Sequence, residues 1–165
     1  MTKQYLSENT ELMKEWDWKA NADLAPSSLT LGSHKKAWWK CPKCKGKWQA
    51  YISDRTGKDS RHHTKCPYCS GRKVLSGFND LATINPRLAS EWHPTKNGNL
   101  KPVDVTIGSG KKVWWKCSKC GHEWQAIIES RVLYHRGCPA CSNKVCVPGK
   151  NDLATTQVKV NTPAE

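Results

Sequence analysis

The sequence predicts two small α+β modules in tandem, each a short helix with a small antiparallel sheet tied down by two cysteine knuckles. Three observations predict this. The chain repeats itself almost end to end, and each copy carries two Cys-x2-Cys pairs. Among its 165 residues there are nine Cys, nine Trp and one Phe, while Leu, Ile and Val are sparse. A large aliphatic core is therefore excluded, and another force must hold the fold.

The repeat sets the organisation. Glu15-Trp16 matches Glu91-Trp92, and Lys35-Lys36-Ala37-Trp38-Trp39-Lys40-Cys41 matches Lys111-Lys112-Val113-Trp114-Trp115-Lys116-Cys117. Trp48-Gln49-Ala50 matches Trp124-Gln125-Ala126, and Arg55 matches Arg131, all 76 residues apart. After a four-residue deletion the offset is 72, and Cys66, Cys69 and Asn79-Asp80-Leu81-Ala82-Thr83 match Cys138, Cys141 and Asn151-Asp152-Leu153-Ala154-Thr155. This divides the chain into a module over 1–83, a module over 84–156 and a polar tail over 157–165.

The elements follow in chain order. Asn85-Pro86 reads as an N-cap with Pro at the first helical position. A helix from Arg87 to Trp92 follows, stopping before Pro94, with Asn9 to Trp16 as its counterpart. A strand is expected around Val103 to Ile107, a turn at Gly108-Ser109-Gly110 and a second strand over Lys112 to Lys116. Beyond the first cysteine pair, Trp124, Ala126 and Ile128 alternate as a half-buried strand does, and Trp48, Ala50 and Ile52 repeat the pattern. In each Trp-Trp pair the two rings must leave opposite faces of the strand. One packs on Trp48 or Trp124. The other is either buried around the small sheet, as a module short of aliphatic bulk favours, or exposed for stacking on a base. Trp16 and Trp92 are read as core.

The cysteines carry the strongest signal. The spacings are Cys41-x2-Cys44-x21-Cys66-x2-Cys69 and Cys117-x2-Cys120-x17-Cys138-x2-Cys141. Paired knuckles at this separation are a zinc signature. A tight turn aims two thiolates at one tetrahedral ion, and the distant pair closes the sphere. Four thiolates leave no open position, so two structural Zn2+ ions are expected. Disulfides are the competing reading, against which stand the odd cysteine count and an N-terminus without a signal peptide's apolar stretch. Cys146, whose counterpart is Val74, is left over as a small filler or surface thiol. His62, His63, His122 and His135 lie near the ligands but are surplus to four thiolates, and read as loop or surface residues.

The chain carries 27 Lys+Arg against 14 Asp+Glu, a formal +13, and two tetrathiolate zinc sites bring this to about +9. The charge is segregated. Lys35 to Lys73 holds 12 basic and two acidic residues, Lys111 to Lys150 holds eight and two, and the remainder seven and ten. A duplicated basic face is the electrostatic footprint of a polyanion reader. Lys35, Lys36, Lys40, Arg55, Arg72 and Lys73, with Lys111, Lys112, Lys116 and Arg131, are the candidate phosphate or base contacts. Lys40 and Lys116, each next to a ligand cysteine, equally suit offsetting thiolate charge. Gln49 and Gln125 could read a base edge but fit a solvated face better.

Glu91-Trp92-His93-Pro94-x-Lys96-Asn97-Gly98, Trp114-Trp115-Lys116-Cys117-x2-Cys120-Gly121-His122-x-Trp124, Gly137-Cys138-Pro139-x-Cys141-Ser142 and Asn151 to Thr155 resemble one known family. It is the tandem "probable zinc-ribbon" domains, also described as treble-clef-like, found as arrays in bacterial, phage and large-virus proteins. The resemblance covers both modules. It implies treble-clef/zinc-ribbon-like repeats with the eight paired cysteines as ligands. Some relatives carry an endonuclease-like domain beside the array, which implies nucleic-acid binding. The first module departs from the pattern at Asp17-Trp18 and Lys45-Gly46-Lys47, and its loop before Cys66 is four residues longer.

No pair of carboxylates recurs beside a histidine in a way that would hold a catalytic metal, so no enzyme is expected. The leading expectation is a cytoplasmic, non-catalytic double-stranded DNA-binding protein. Single-stranded DNA or RNA binding through exposed Trp is the first alternative. The second is a protein-interaction module, an adaptor or inhibitor of phage or mobile-element type, on an acidic partner. No apolar run approaches the roughly 18 residues of a membrane span.

Overall fold

The computed structural model describes residues 3–57 and 65–153. His62, His63 and the tail expected over 157–165 lie outside the described residues. Two compact units form, Met1–Leu75 and Ser76–Glu165. In chain order the elements of unit one are α1 (Thr10–Met13), β1 (Lys36–Lys40), β2 (Lys47–Tyr51) and α2 (Ile52–Thr56). Those of unit two are α3 (Leu81–Ile84), α4 (Pro86–Ala89), β3 (Lys112–Lys116), β4 (Glu123–Ile127) and α5 (Ile128–Leu133).

Each unit is built on one antiparallel hairpin. β1 pairs with β2 so that Trp39 faces Trp48 and Lys36 faces Tyr51. β3 pairs with β4 so that Trp115 faces Trp124 and Lys112 faces Ile127. Alternation sends Ala37 and Trp39 inward and Lys36, Trp38 and Lys40 outward. Trp39 and Trp115 are fully buried. Each meets a second indole edge to face, Trp16 or Trp92, at 5.4 Å between ring centroids. The Trp39 and Trp115 Nε1–H groups donate to Ala50 O (3.2 Å) and Ala126 O (3.1 Å), so these two rings are buried with their donors satisfied. Indole bulk thus replaces the missing aliphatic core.

Several expected elements take another form. α4 covers Pro86–Ala89 and α1 covers Thr10–Met13, single turns capped by Asn85 (Leu88 N to Oδ1, 3.0 Å) and Asn9 (Leu12 N to Oδ1, 3.1 Å). They stop short of Trp92 and Trp16 because those residues pair with the sheet: Lys116 N donates to Glu91 O at 2.7 Å, and Trp92 bridges Trp115. The edge continues through a side chain. The Asn97 amide accepts from Trp114 N (2.8 Å) and donates to Trp114 O (2.9 Å), and Asn21 does the same for Trp38. The strand expected over Val103 to Ile107 is a 3-10 turn, Pro102–Asp104, followed by a bridge at Thr106. Pro102 has no N–H to give a ladder, and the Asp104 carboxylate closes on Lys101 N at 2.9 Å. Ile52 and Ile128, read as strand residues, instead start α2 and α5, fully buried.

The units divide before Ser76, earlier than the 83/84 boundary suggested by the 72-residue offset. The cause is Asn79 to Thr83. Leu81 N donates to Val105 O at 2.8 Å, and the Leu81 side chain is fully buried among Leu88, Val113, Trp115 and Ile128. Asp80 caps α3, accepting from Thr83 N (2.9 Å), Thr83 Oγ1 (2.7 Å) and Gly77 N (2.6 Å). In unit one the same place is filled by Leu6, whose N–H donates to Leu29 O at 2.7 Å. The segment read as closing the first module therefore opens the second unit. Its C-terminal copy repeats the turn, with Gly149 N donating to Asp152, and Leu153 there is 81 % exposed.

Candidate metal centres and a basic groove

The β1–β2 turn supplies Cys41 and Cys44. Cys41 N donates to Gly46 O (3.0 Å) and Lys45 N to Cys41 O (2.9 Å), which turns the backbone sharply enough to aim both sulfurs inward. Lys45 takes φ 60°, where unit two has Gly121 at φ 67°. A Cβ on Gly46 would lie 2.5 Å from the Tyr68 ring, so a larger residue there would displace the Tyr68 side chain. The second knuckle closes when Ser70 N donates to Cys66 O (3.1 Å) and, in unit two, Ser142 N to Cys138 O (3.2 Å).

Cys41, Cys44, Cys66 and Cys69 form one cluster and Cys117, Cys120, Cys138 and Cys141 the other, their sulfurs all within 4.8 Å of one another. The closest cross-knuckle pairs are 3.7 Å (Cys41–Cys69), 3.5 Å (Cys44–Cys66), 3.7 Å (Cys117–Cys141) and 3.6 Å (Cys120–Cys138). A tetrahedron with Zn–S bonds of about 2.3 Å needs sulfurs about 3.8 Å apart, so the donor sets fit zinc. These separations also exclude disulfides among the eight. Without a cation the clusters resist full ionisation. Burial, then sulfur–sulfur hydrogen bonding, pushes the Cys69 thiol up to about 12. Cys141 is pushed up to about 12 by its hydrogen bond with Cys120 and then by burial. A divalent ion removes that conflict by stabilising the thiolates.

Arg55 and Arg131, expected as phosphate or base contacts, are instead engaged with internal partners. Both are buried in the core. Arg131 donates from Nη2 to Glu91 Oε2 at 2.6 Å and from Nε to Arg136 O at 3.0 Å, with its guanidinium 4.5 and 4.9 Å from the Trp115 and Trp124 rings. Arg55 is ion-paired to Glu15 and lies 5.0 and 5.3 Å from Trp39 and Trp48. Burial lowers the Arg55 pKa, opposed by Glu15 and by the nearby Cys66 and Cys41 sulfurs. Each guanidinium is a countercharge near a cysteine cluster, within about 5 Å of two indole ring centroids. The repeated Ile-x-x-Arg of α2 and α5 was the sequence signal for this buried role.

The other candidate cations, Lys35, Lys36, Lys40, Arg72, Lys73, Lys111, Lys112 and Lys116, are all exposed. Three of them come together. A groove of about 380 Å3 on unit one is lined by Lys36, Gln49, Tyr51, Lys65, Arg72 and Lys73. Lys36 Nζ sits 5.1 Å from the Tyr51 ring centroid, and Arg72 is braced by Lys65 O (2.9 Å) and Ser70 Oγ (3.1 Å). The remaining five line no part of it. Their partners differ too: Lys116 lies 4.0 Å from Glu123, and Trp114 is covered by Lys96 at 4.6 Å. A larger cavity of about 460 Å3 in unit two carries Arg87, Lys119, Arg131 and Arg136, but Glu91 and the ligand sulfurs of Cys117, Cys138 and Cys141 line it as well. With zinc bound, those negative charges offset most of the positive ones.

The two units also carry a reversed pair that no sequence motif marks. Asp17 Oδ2 meets Lys47 Nζ at 2.7 Å, whereas at the same places in unit two His93 Nε2 lies 3.0 Å from Glu123 Oε1. Hydrogen bonding from Lys96 (2.6 Å) and then His93 holds the Glu123 carboxyl down at about 2. The two departures from the family pattern in module one, at Asp17 and Lys47, thus compensate each other. His122 stacks on Trp124 at 6.0 Å, His135 is exposed, and Cys146 is an exposed thiol.

Two tetrathiolate clusters, each closed by a hairpin knuckle and a second turn, define a pair of structural zinc modules. The family profile described as a probable treble clef zinc finger domain matches residues 12–72 and 88–144, and the chain belongs to that family. No curated protein matches the chain. Among the described residues no helix is long and apolar enough to cross a membrane.

Proposed function

We propose that the chain is a non-catalytic nucleic-acid-binding protein whose principal contact surface is the basic face of unit one. The observation that carries this is the assembly of Lys36, Lys65, Arg72 and Lys73 into one groove from a strand and from the segments flanking the second knuckle. Solvated surface charge needs no such convergence, and a polyphosphate backbone rewards it. DNA in duplex form is the substrate that charge alone favours. The single-stranded reading has its own support: Trp18 (63 %), Trp38 (37 %) and Tyr51 (40 %) are exposed on unit one among lysines. Reduced thiolates suit the cytoplasm.

Fluorescence anisotropy of zinc-loaded protein against equal lengths of duplex DNA, single-stranded DNA and RNA, each across a salt series, tests this. Affinity should fall steeply with salt, by roughly 0.9 log units per duplex phosphate contact per log unit of salt. Absence of binding to all three at physiological salt would shift the function to an acidic protein partner.

A further inference from the structure

The groove on unit one has more than charge. Tyr51 stands across the hairpin from Lys36 and presents its ring beside that ammonium, 5.1 Å away. Gln49 lies two residues back on the same exposed face of β2. Lys65, Arg72 and Lys73 line the same groove, and the one acid among its lining residues is Asp54. An aromatic face, an amide and a cationic wall within about 380 Å3 are the three parts a nucleotide requires. The exposed lysine–tyrosine contact is weaker than a base stacked on the same ring, so a base can displace Lys36 toward a phosphate.

The duplicated unit supplies an internal comparison. Where unit one has Tyr51, Lys65, Arg72 and Lys73, unit two has Ile127, Gly137, Lys144 and Val145. The ring is gone and two of the three wall cations are gone, while the hairpin register is the same. The knuckle turn is also conserved in shape, with Gly71 at φ 73° and Asn143 at φ 54°. Identical scaffolds with different linings separate a structural requirement from a ligand-facing one.

We propose that the unit-one groove is a subsite for one unpaired nucleotide, its base stacked on Tyr51 and its phosphate held by Lys65, Arg72 and Lys73, and that unit two has no equivalent. This rests on the nucleic-acid reading above. A base within a duplex has both faces covered by its neighbours, so the subsite discriminates in favour of single strands, ends or flipped nucleotides.

The test uses the full chain, zinc-loaded, with zinc content and circular dichroism checked for every variant. Three probes are titrated: a 12-nucleotide oligothymidylate, a backbone of the same length made of abasic residues, and a duplex of the same length. Tyr51→Ala should weaken oligothymidylate binding about fivefold or more, the low end for losing one stacked base, and leave the abasic and duplex probes unchanged. Tyr51→Phe should retain wild-type affinity, and Ile127→Ala should change nothing. If Tyr51→Ala binds oligothymidylate like wild type while the double variant Lys65→Gln, Arg72→Gln weakens all three probes alike, the subsite is refuted and nucleic-acid binding stands. If Ile127→Ala weakens oligothymidylate as much as Tyr51→Ala, the distinction between the units is refuted. If wild type binds none of the probes, the nucleic-acid reading falls and the subsite with it.

Discussion

Glu123 illustrates how single residues were exchanged as sets after duplication. It faces His93 and Lys96, while the same position in unit one is Lys47 facing Asp17. A lone swap would set like charges together or strand a buried group, so both partners changed. The pH consequence has a definite sign. Glu123 is lowered to about 2, from the hydrogen bond of Lys96 first. Its contribution to stability is therefore fully present above the ordinary carboxylate range and is lost as pH falls toward 2. Carbon-detected NMR titration should find the Glu123 carboxyl well below an ordinary glutamate, and Lys96→Met should move its midpoint upward. A midpoint in the ordinary range in the unmodified chain would contradict the geometry. Asp17 is lowered in the same direction, by the hydrogen bond from Lys47.

At the scale of elements, the hairpins and knuckles were legible in the sequence and the connections were not. Strand alternation in Lys36 to Lys40 and Lys112 to Lys116 is a local property, and so is the cysteine spacing. The shortness of α1 and α4 depends instead on Trp16 and Trp92 leaving the helix to pair with Trp39 and Trp115 across the unit. No helical periodicity contains that information. α2 and α5 hid behind a strand-like alternation ending in Ile52 and Ile128. The burial of Arg55 and Arg131 is not legible locally because Arg is ordinarily exposed, and it is the partner carboxylates at 15 and 91, 40 residues away, that reveal it. Asn79 to Thr83 ends one period of the repeat yet packs in the unit that follows, because repeats mark a period without marking its starting point. That element gives a direct prediction. Leu81→Ala should cost unit two about 2–5 kcal/mol, as for a fully buried aliphatic side chain, and leave unit one unaffected. Hydrogen exchange resolved by residue reads both at once, and equal loss of protection in the two units would place Leu81 elsewhere.

The whole molecule is held by metal more than by oil. Each unit buries a handful of indoles and aliphatics, a core too small to stabilise modules of this size unaided. Structural zinc supplies on the order of 10 kcal/mol of apparent binding free energy, which is folding free energy. Complete chelation should therefore unfold both units, and a circular dichroism spectrum unchanged after metal removal would refute this. Both units carry excess positive charge in their cysteine-bearing halves, and in unit one Lys36, Arg72 and Lys73 line one groove with the exposed Tyr51 ring. Duplication gives two frames of the same shape, each with a four-cysteine cluster, and on the function proposed above the divergent lining makes unit one the principal polyanion surface. The most direct measurement is salt-dependent anisotropy of two charge-reversed chains, Lys36→Glu with Arg72→Glu in unit one and Lys112→Glu with Lys144→Glu in unit two, both zinc-loaded. The unit-one pair should abolish most of the affinity for nucleic acid and flatten the salt dependence, while the unit-two pair should retain most of both. Equal losses from the two pairs, or a greater loss from the unit-two pair, would overturn the assignment of the contact surface to unit one.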